Sequence, residues 1–154
     1  MANRMKKGSA VAAAAVALVG GFEGLRQHAY PDPATQGQPW TICYGSTNGV
    51  KPGDYKTVAQ CKALLSLELQ KYAAGIEECV TVPLPDSRFV ALTSFAYNVG
   101  IKAACGSSAI KLINQGKTAE GCEALLRWDK AAGIRFPGLT RRRQKERQFC
   151  LEGI

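Results

Sequence analysis

GGFEGLRQHAYPDPATQGQPWTICYGSTN, residues 20–48, is the stretch from which the rest of the chain can be read. An apolar run of Ala, Val, Leu and Gly leads into it, and glycines at 20, 21 and 24 mark the end of that helix around Glu23. Two short β-prone pieces follow, one at Tyr30 and one over Trp40-Thr41-Ile42-Cys43-Tyr44, separated by Pro, Gly and polar turn residues. The stretch therefore predicts a helix running into a β-hairpin. Asp32 stands just before the turn, and Thr41 stands in the returning strand.

A carboxyl group on a helix end and a second one on a hairpin can face each other across a cleft. Hydrolysis of a glycosidic bond uses that layout: one protonated carboxyl for the leaving oxygen and one carboxylate to direct water. Glu23 is expected at a helix C-terminus, at the negative pole of the macrodipole and beside apolar Phe22, a setting suited to the acid role. A solvated residue at a frayed helix end accounts for the position of Glu23 equally well.

Glu23-Gly24-Leu25-Arg26, Tyr30, Asp32, Thr41-Ile42 and Tyr44-Gly45 resemble the active-site segment of the T4-like phage lysozymes, the muramidase endolysins of glycoside hydrolase family 24. Downstream, Ala91-Leu92, Phe95 and Tyr97-Asn98-Val99-Gly100 resemble that family's central helix. Leu112, Asn114, Gly116 and Arg127-Trp128 fit the following helices, and Gly138-Leu139 with Arg142, Arg143 and Glu146 resembles the C-terminal signature. The likeness spans roughly residues 15–152, with its motifs in the family's order.

The resemblance implies an α+β, mostly helical fold in a single catalytic domain over residues 1–154. A small hairpin lobe, a linking helix and a helical C-terminal lobe would make it up. The implied activity is hydrolysis of the β-1,4 bond between N-acetylmuramic acid and N-acetylglucosamine in peptidoglycan, for host-cell lysis by a phage. Carried over by position, Glu23 is the general acid, Asp32 the base, and Thr41 helps to hold the attacking water. Thr35 is the rival to Thr41, because the loop from Pro33 to Trp40 is longer than in the family's shortest version. Ser46 stands where the family often has His. Tyr97, Asn98 and Ser108 are implied glycan contacts, and Arg142 an implied partner of Glu23. Inversion at the anomeric carbon is expected, with carboxyl groups about 6.5–9.5 Å apart. No metal or cofactor is implied. A lytic transglycosylase cutting the same bond and a cationic membrane-disrupting protein are the competing classes.

Composition bears on partners. The net charge is +8, carried by residues 1–7 and by the segment from Arg127 onward, where eight basic residues face three acidic ones. A basic end piece suits an anionic partner such as wall polymer, lipopolysaccharide or membrane, although a solvated helix face explains it as well. No base-contacting motif is present, so nucleic acid is not a partner, and the chain reads as a monomer.

Six cysteines with no Cys-x-x-Cys pair and a single His28 point away from zinc and toward disulfides in an oxidising compartment such as the periplasm. Of the fifteen connectivities, sequence order suggests Cys43–Cys61, Cys79–Cys105 and Cys122–Cys150, each tying neighbouring elements of the implied fold. Basic residues 1–7 before an apolar run have the layout of a signal peptide. The run falls short of the roughly 17–25 residues of a membrane span. Residues 1–22 thus have three readings. They are the first helix of the domain, a signal cleaved near Ala15-Val16-Ala17, or a weak anchor that tethers the enzyme to the inner membrane and later releases it, as in some relatives.

Along the remaining chain, Thr57 and Gln60 predict a capping box opening a helix to about Glu78. Asp86 is the expected N-cap of a central helix through Val99. Ser107 or Ser108 caps a short helix to Asn114, and Thr118 caps another to about Trp128. Ala131 to Gly138 reads as a loop, and Thr140 as the start of the last helix. Arg141, Arg142 and Arg143 cannot all point inward.

Overall fold

In the computed structural model, residues 4–32 and 38–153 are described. They form a mostly helical protein with two small two-stranded antiparallel sheets. The chain divides into two compact units, Met1–Glu68 and Leu69–Ile154.

The first unit begins with α1, Ala10–Glu23, capped by Ser9, whose hydroxyl accepts from the Ala12 amide at 3.0 Å. Ala12, Ala15, Leu18 and Val19 recur at helical spacing and form its buried face. Gly24 ends α1 at φ 75°, with its amide on the Gly20 carbonyl. β1, Arg26–Pro31, pairs with β2, Trp40–Cys43, so that Tyr30 faces Thr41 and Pro31 faces Trp40. On the other edge of β1, the Ala29 amide reaches Asp54 and the Lys56 amide reaches Gln27, both at 2.9 Å, so residues 54–56 extend the hairpin.

Thr41, Ile42, Cys43 and Tyr44 are all buried. The Tyr44 ring lies where a Cβ on Gly20 would be 3.2 Å away, so a glycine there lets the ring close on α1. Cys43 is bridged to Cys61 with Cα atoms 5.0 Å apart, which fastens β2 to the start of α2, Val58–Cys79. The expected capping box opens that helix: the Thr57 amide donates to Gln60 Oε1 at 2.8 Å and the Gln60 amide to Thr57 Oγ1 at 3.1 Å. The boundary between the units falls inside α2.

In the second unit α3, Asp86–Val99, is buried continuously from Arg88 to Ala96. A helix buried on every side, with Arg88, Thr93 and Ser94 among the enclosed residues, belongs at the centre of its unit. After it come α4, Ile101–Cys105, then α5, Ser108–Asn114, and α6, Thr118–Ala124. A Cβ at Gly121 would lie 2.6 Å from Ile113 Cγ1 and 2.7 Å from the Ala109 carbonyl oxygen, so only glycine permits this approach of α6 to α5. A 3₁₀ turn over Leu125–Arg127 leads to the hairpin of β3, Lys130–Ala131, and β4, Ile134–Arg135. α7, Pro137–Glu152, closes the unit. The structure pairs Cys79 with Cys105 and Cys122 with Cys150, as sequence order suggested.

Some local expectations change. Residues 131–138 are not all loop, because Ala132 at φ 51° and Gly133 at φ 79° make a tight turn between β3 and β4. The last helix opens at Pro137 rather than Thr140, since a proline fits the first helical position, where no amide donor is needed. Asp86 is the first helical residue, with Pro85 at the cap position. Lys117, not Thr118, occupies the cap of α6, and that helix gives way to the 3₁₀ turn at Leu125.

Candidate active site

The first unit holds the residues expected to carry chemistry. Glu23 is the last residue of α1 and is half-buried. Its Oε2 lies 3.7 Å from where a Cβ on Gly45 would stand, so the carboxyl group sits against the turn that leaves β2. The end of α1 and the hairpin therefore meet at Glu23. Because Tyr30 is opposite Thr41, the two side chains share a face of the hairpin. Asp32, half-buried, is the residue directly after β1. Thr41 is 3% exposed, and its hydroxyl donates to the Pro39 carbonyl at 3.3 Å. Thr35 lies outside the described residues.

Ser46, which stands where the family often has His, is buried and donates to Glu68 Oε1 at 2.5 Å. This bond joins the turn after β2 to α2, and nothing in the residue types 22 positions apart announced it. The Tyr44 packing on Gly20 joins the piece that bears Thr41 to the helix that bears Glu23, strand pairing joins it to β1, and the Cys43–Cys61 bridge and the Ser46 bond fasten it to α2.

The remaining candidates lie in the second unit. Tyr97 and Asn98 occupy the last turn of α3, half-buried, with the Tyr97 ring edge-on to Tyr72 at 5.1 Å. Ser107 is the cap of α5, accepting from the Ile110 amide at 3.3 Å. Ser108 is the first helical residue, and its hydroxyl accepts from Arg127 at 3.1 Å.

Arg142 is buried: Nη2 donates to the Ser94 carbonyl at 3.1 Å and Nε to Glu146 Oε2 at 3.3 Å. Beside it Arg143 is fully buried, with Nη2 on Glu146 Oε2 at 3.1 Å and its guanidinium 5.1 Å from the Phe95 ring centroid. Ser94 Oγ completes the cluster with a 2.6 Å bond to Glu146. Arg141 is the one of the three arginines that faces solvent. Sequence reasoning missed the depth of Arg143. The signal was available: a glutamate three and four residues after two arginines can neutralise both on one helix face.

Among the described residues no group of three His, Cys, Asp or Glu side chains could hold a metal ion, and no helix is long and apolar enough to cross a membrane.

Comparison with known proteins agrees with this architecture. The family model for phage lysozymes matches residues 20–146. The chain is 40% identical over 154 residues to the SAR-endolysin of Pseudomonas phage phiKMV, covering 97% of this chain and 93% of that protein. Among solved structures, the muramidase domain of SpmX from Asticaccaulis excentricus is similar with a TM-score of 0.82 and 34% identity, over 90% of this chain and 95% of that one. The active form of the P1 phage endolysin Lyz is similar with a TM-score of 0.79 and 34% identity, over 91% and 84% respectively.

Proposed function

Because the chain belongs to the phage lysozyme family and is an endolysin, a muramidase that hydrolyses peptidoglycan, we propose that Glu23 is its general acid and Asp32 its general base. The observation that supports this reading is the meeting of the α1 end with the hairpin, which sets Glu23 against the turn after β2, with Asp32 following directly on β1.

In the proposed step the Glu23 carboxyl gives its proton to the glycosidic oxygen as the bond to the anomeric carbon breaks. Asp32 takes a proton from a water whose oxygen attacks that carbon from the opposite side, so the configuration inverts. Glu23 ends ionised and Asp32 protonated, and solvent restores both. Thr41 orients the water. Tyr97, Asn98 and Ser108 contact the glycan. Arg142 is the proposed partner of Glu23, a role carried by its match to the family's C-terminal signature.

The site of action is the periplasm, reached by export through residues 1–22 as an anchor that later releases. A named SAR-endolysin matching 97% of this chain supports that reading. So do the basic residues ahead of α1, the modest length of that apolar helix, and three disulfides that need an oxidising compartment.

The test is digestion of purified peptidoglycan by the wild type, Glu23→Gln and Asp32→Asn, with the fragments weighed. Muropeptides with reducing ends from the wild type, and a loss of at least about a hundredfold in either variant, are expected. Anhydro-muropeptides would assign the chain to the transglycosylases and remove the role of Asp32. Undiminished digestion by Glu23→Gln would refute the acid.

A further inference from the structure

The β3–β4 hairpin is the least buried regular element of the second unit, with residues 130–138 exposed throughout. Its register sets Lys130 opposite Arg135 and Ala131 opposite Ile134. Directly opposed side chains share a face, and residues two apart along a strand share one as well. One face therefore presents Ala131, Ile134 and Phe136, and the other presents Lys130 and Arg135. Ile134 is 62% exposed and Phe136 45%, in a unit that otherwise hides its large apolar side chains well. Arg135 Nε is paired with Asp129 at 3.0 Å, whereas Lys130 is exposed. Exposed Arg141 adds a further cation here, with Nη2 3.9 Å from where a Cβ on Gly138 would stand.

We propose that this hairpin docks the enzyme on an anionic phospholipid surface, with Ile134 and Phe136 inserted among the acyl chains and Lys130 and Arg141 held at the phosphates. An element with an apolar face and a basic face is the form that lies in a membrane interface, buried some 5–10 Å deep. Long cationic side chains then reach back to the headgroups. Two large apolar side chains on a two-residue hairpin are too small a patch for a stable protein partner, which needs about 800 Å² on each side. The charge around it selects the lipid: Arg142 and Arg143 are buried on Glu146, Arg135 is paired with Asp129 and Arg147 with Glu123, and the exposed Arg127, Lys130, Arg141 and Lys145 stand against Glu152 alone among the acidic residues after Arg127. None of these residues is assigned a part in the proposed chemistry, and the docking surface holds whether or not that assignment does.

The experiment is co-sedimentation of the whole oxidised chain with vesicles of phosphatidylethanolamine and phosphatidylglycerol, and with vesicles of phosphatidylcholine alone. The wild type should pellet with the anionic vesicles and not with the neutral ones. Ile134→Ser with Phe136→Ser should weaken that binding at least about tenfold. Lys130→Gln with Arg141→Gln should also weaken it, and should flatten its dependence on salt. Both variants should digest purified peptidoglycan like the wild type, which shows that they fold. Unchanged vesicle binding in both variants would overturn the proposal and move membrane contact to another basic segment. Loss of binding to isolated wall sacculi with no change toward vesicles would overturn it in favour of the wall polymer.

Discussion

Replacing Cys43 and Cys61 by alanine should cost the protein about a third of a typical domain's stability. The bridge closes a sequence separation of 18. The loop-entropy relation for a loop of that length gives about 3.2 kcal/mol at 25 °C. For a chain of this size each kcal/mol moves the melting temperature by about 2–4 °C, so the variant should melt about 6–13 °C lower. The two alanines fill nearly the same buried sites, at 1% and 0% exposure, so the effect should come mainly from the lost cross-link. The same relation applied to Cys122–Cys150, with a separation of 28, gives about 3.6 kcal/mol. Thermal unfolding followed by far-ultraviolet circular dichroism without reductant measures both. Peptidoglycan digestion at 25 °C adds a functional readout, because Thr41 stands two residues before Cys43 on the same strand. A drop below about 2 °C in the Cys43→Ala/Cys61→Ala variant would refute the reasoning, since a formed bridge of this span must restrict the unfolded chain by more than that.

Other perturbations have equally definite outcomes. Gly121→Ala should lower the urea midpoint by an amount worth about 1–3 kcal/mol without changing the slope, because the new methyl meets a carbonyl oxygen and Ile113 at under 3 Å; an unaltered midpoint would mean α5 and α6 are free to separate. Glu146→Ala strips the counter-charge from two buried guanidiniums and should destabilise by about 3–5 kcal/mol in denaturant unfolding. A loss under about 1 kcal/mol would count against that network's being as dry as its burial implies. Ser46→Ala removes the hydroxyl bonded to the Glu68 carboxylate and should cost about 1.5–3 kcal/mol by the same method; no change would show that solvent replaces the bond. Phe95→Ala should cost about 3–5 kcal/mol and alter tryptophan emission, because Phe95 is fully buried and edge-on to Trp128 at 5.5 Å.

Features governed by neighbouring residues were legible in the chain. The end of α1 at Glu23, the Thr57–Gln60 capping box and the central helix from residue 86 all follow from contacts within four positions. The β3–β4 hairpin was not legible, because Ala132-Gly133 is a weak turn signal beside Asn-Gly and its strands are two residues long. α4 was missed for a related reason: five residues between Gly100 and Gly106 are too few to show a period. The position of α7 was misjudged because Thr140 is a good capping residue, whereas Pro137 states the start more firmly.

By itself, the sequence determined the family and the helix–hairpin–helix order, since residue type and spacing carry both, and it nominated Glu23 and Asp32 as the two carboxyl groups of the proposed chemistry. It also suggested the cysteine pairs, through the short separations that make local closure least costly. Only the tertiary structure decided which charges are buried. Arg143 and Glu146 are fully enclosed while Arg141 is in solvent; the spacing to Glu146 marks Arg142 and Arg143 as able to pair with it, but it does not set their depth. Their fate depends on α3, which brings Ser94 and Phe95 to the guanidiniums from about fifty residues away in sequence. The Ser46–Glu68 bond and the packing of Tyr44 on Gly20 are of the same kind. Burial and hydrogen bonding depend on what arrives from elsewhere in the chain, and a linear pattern records only what is adjacent.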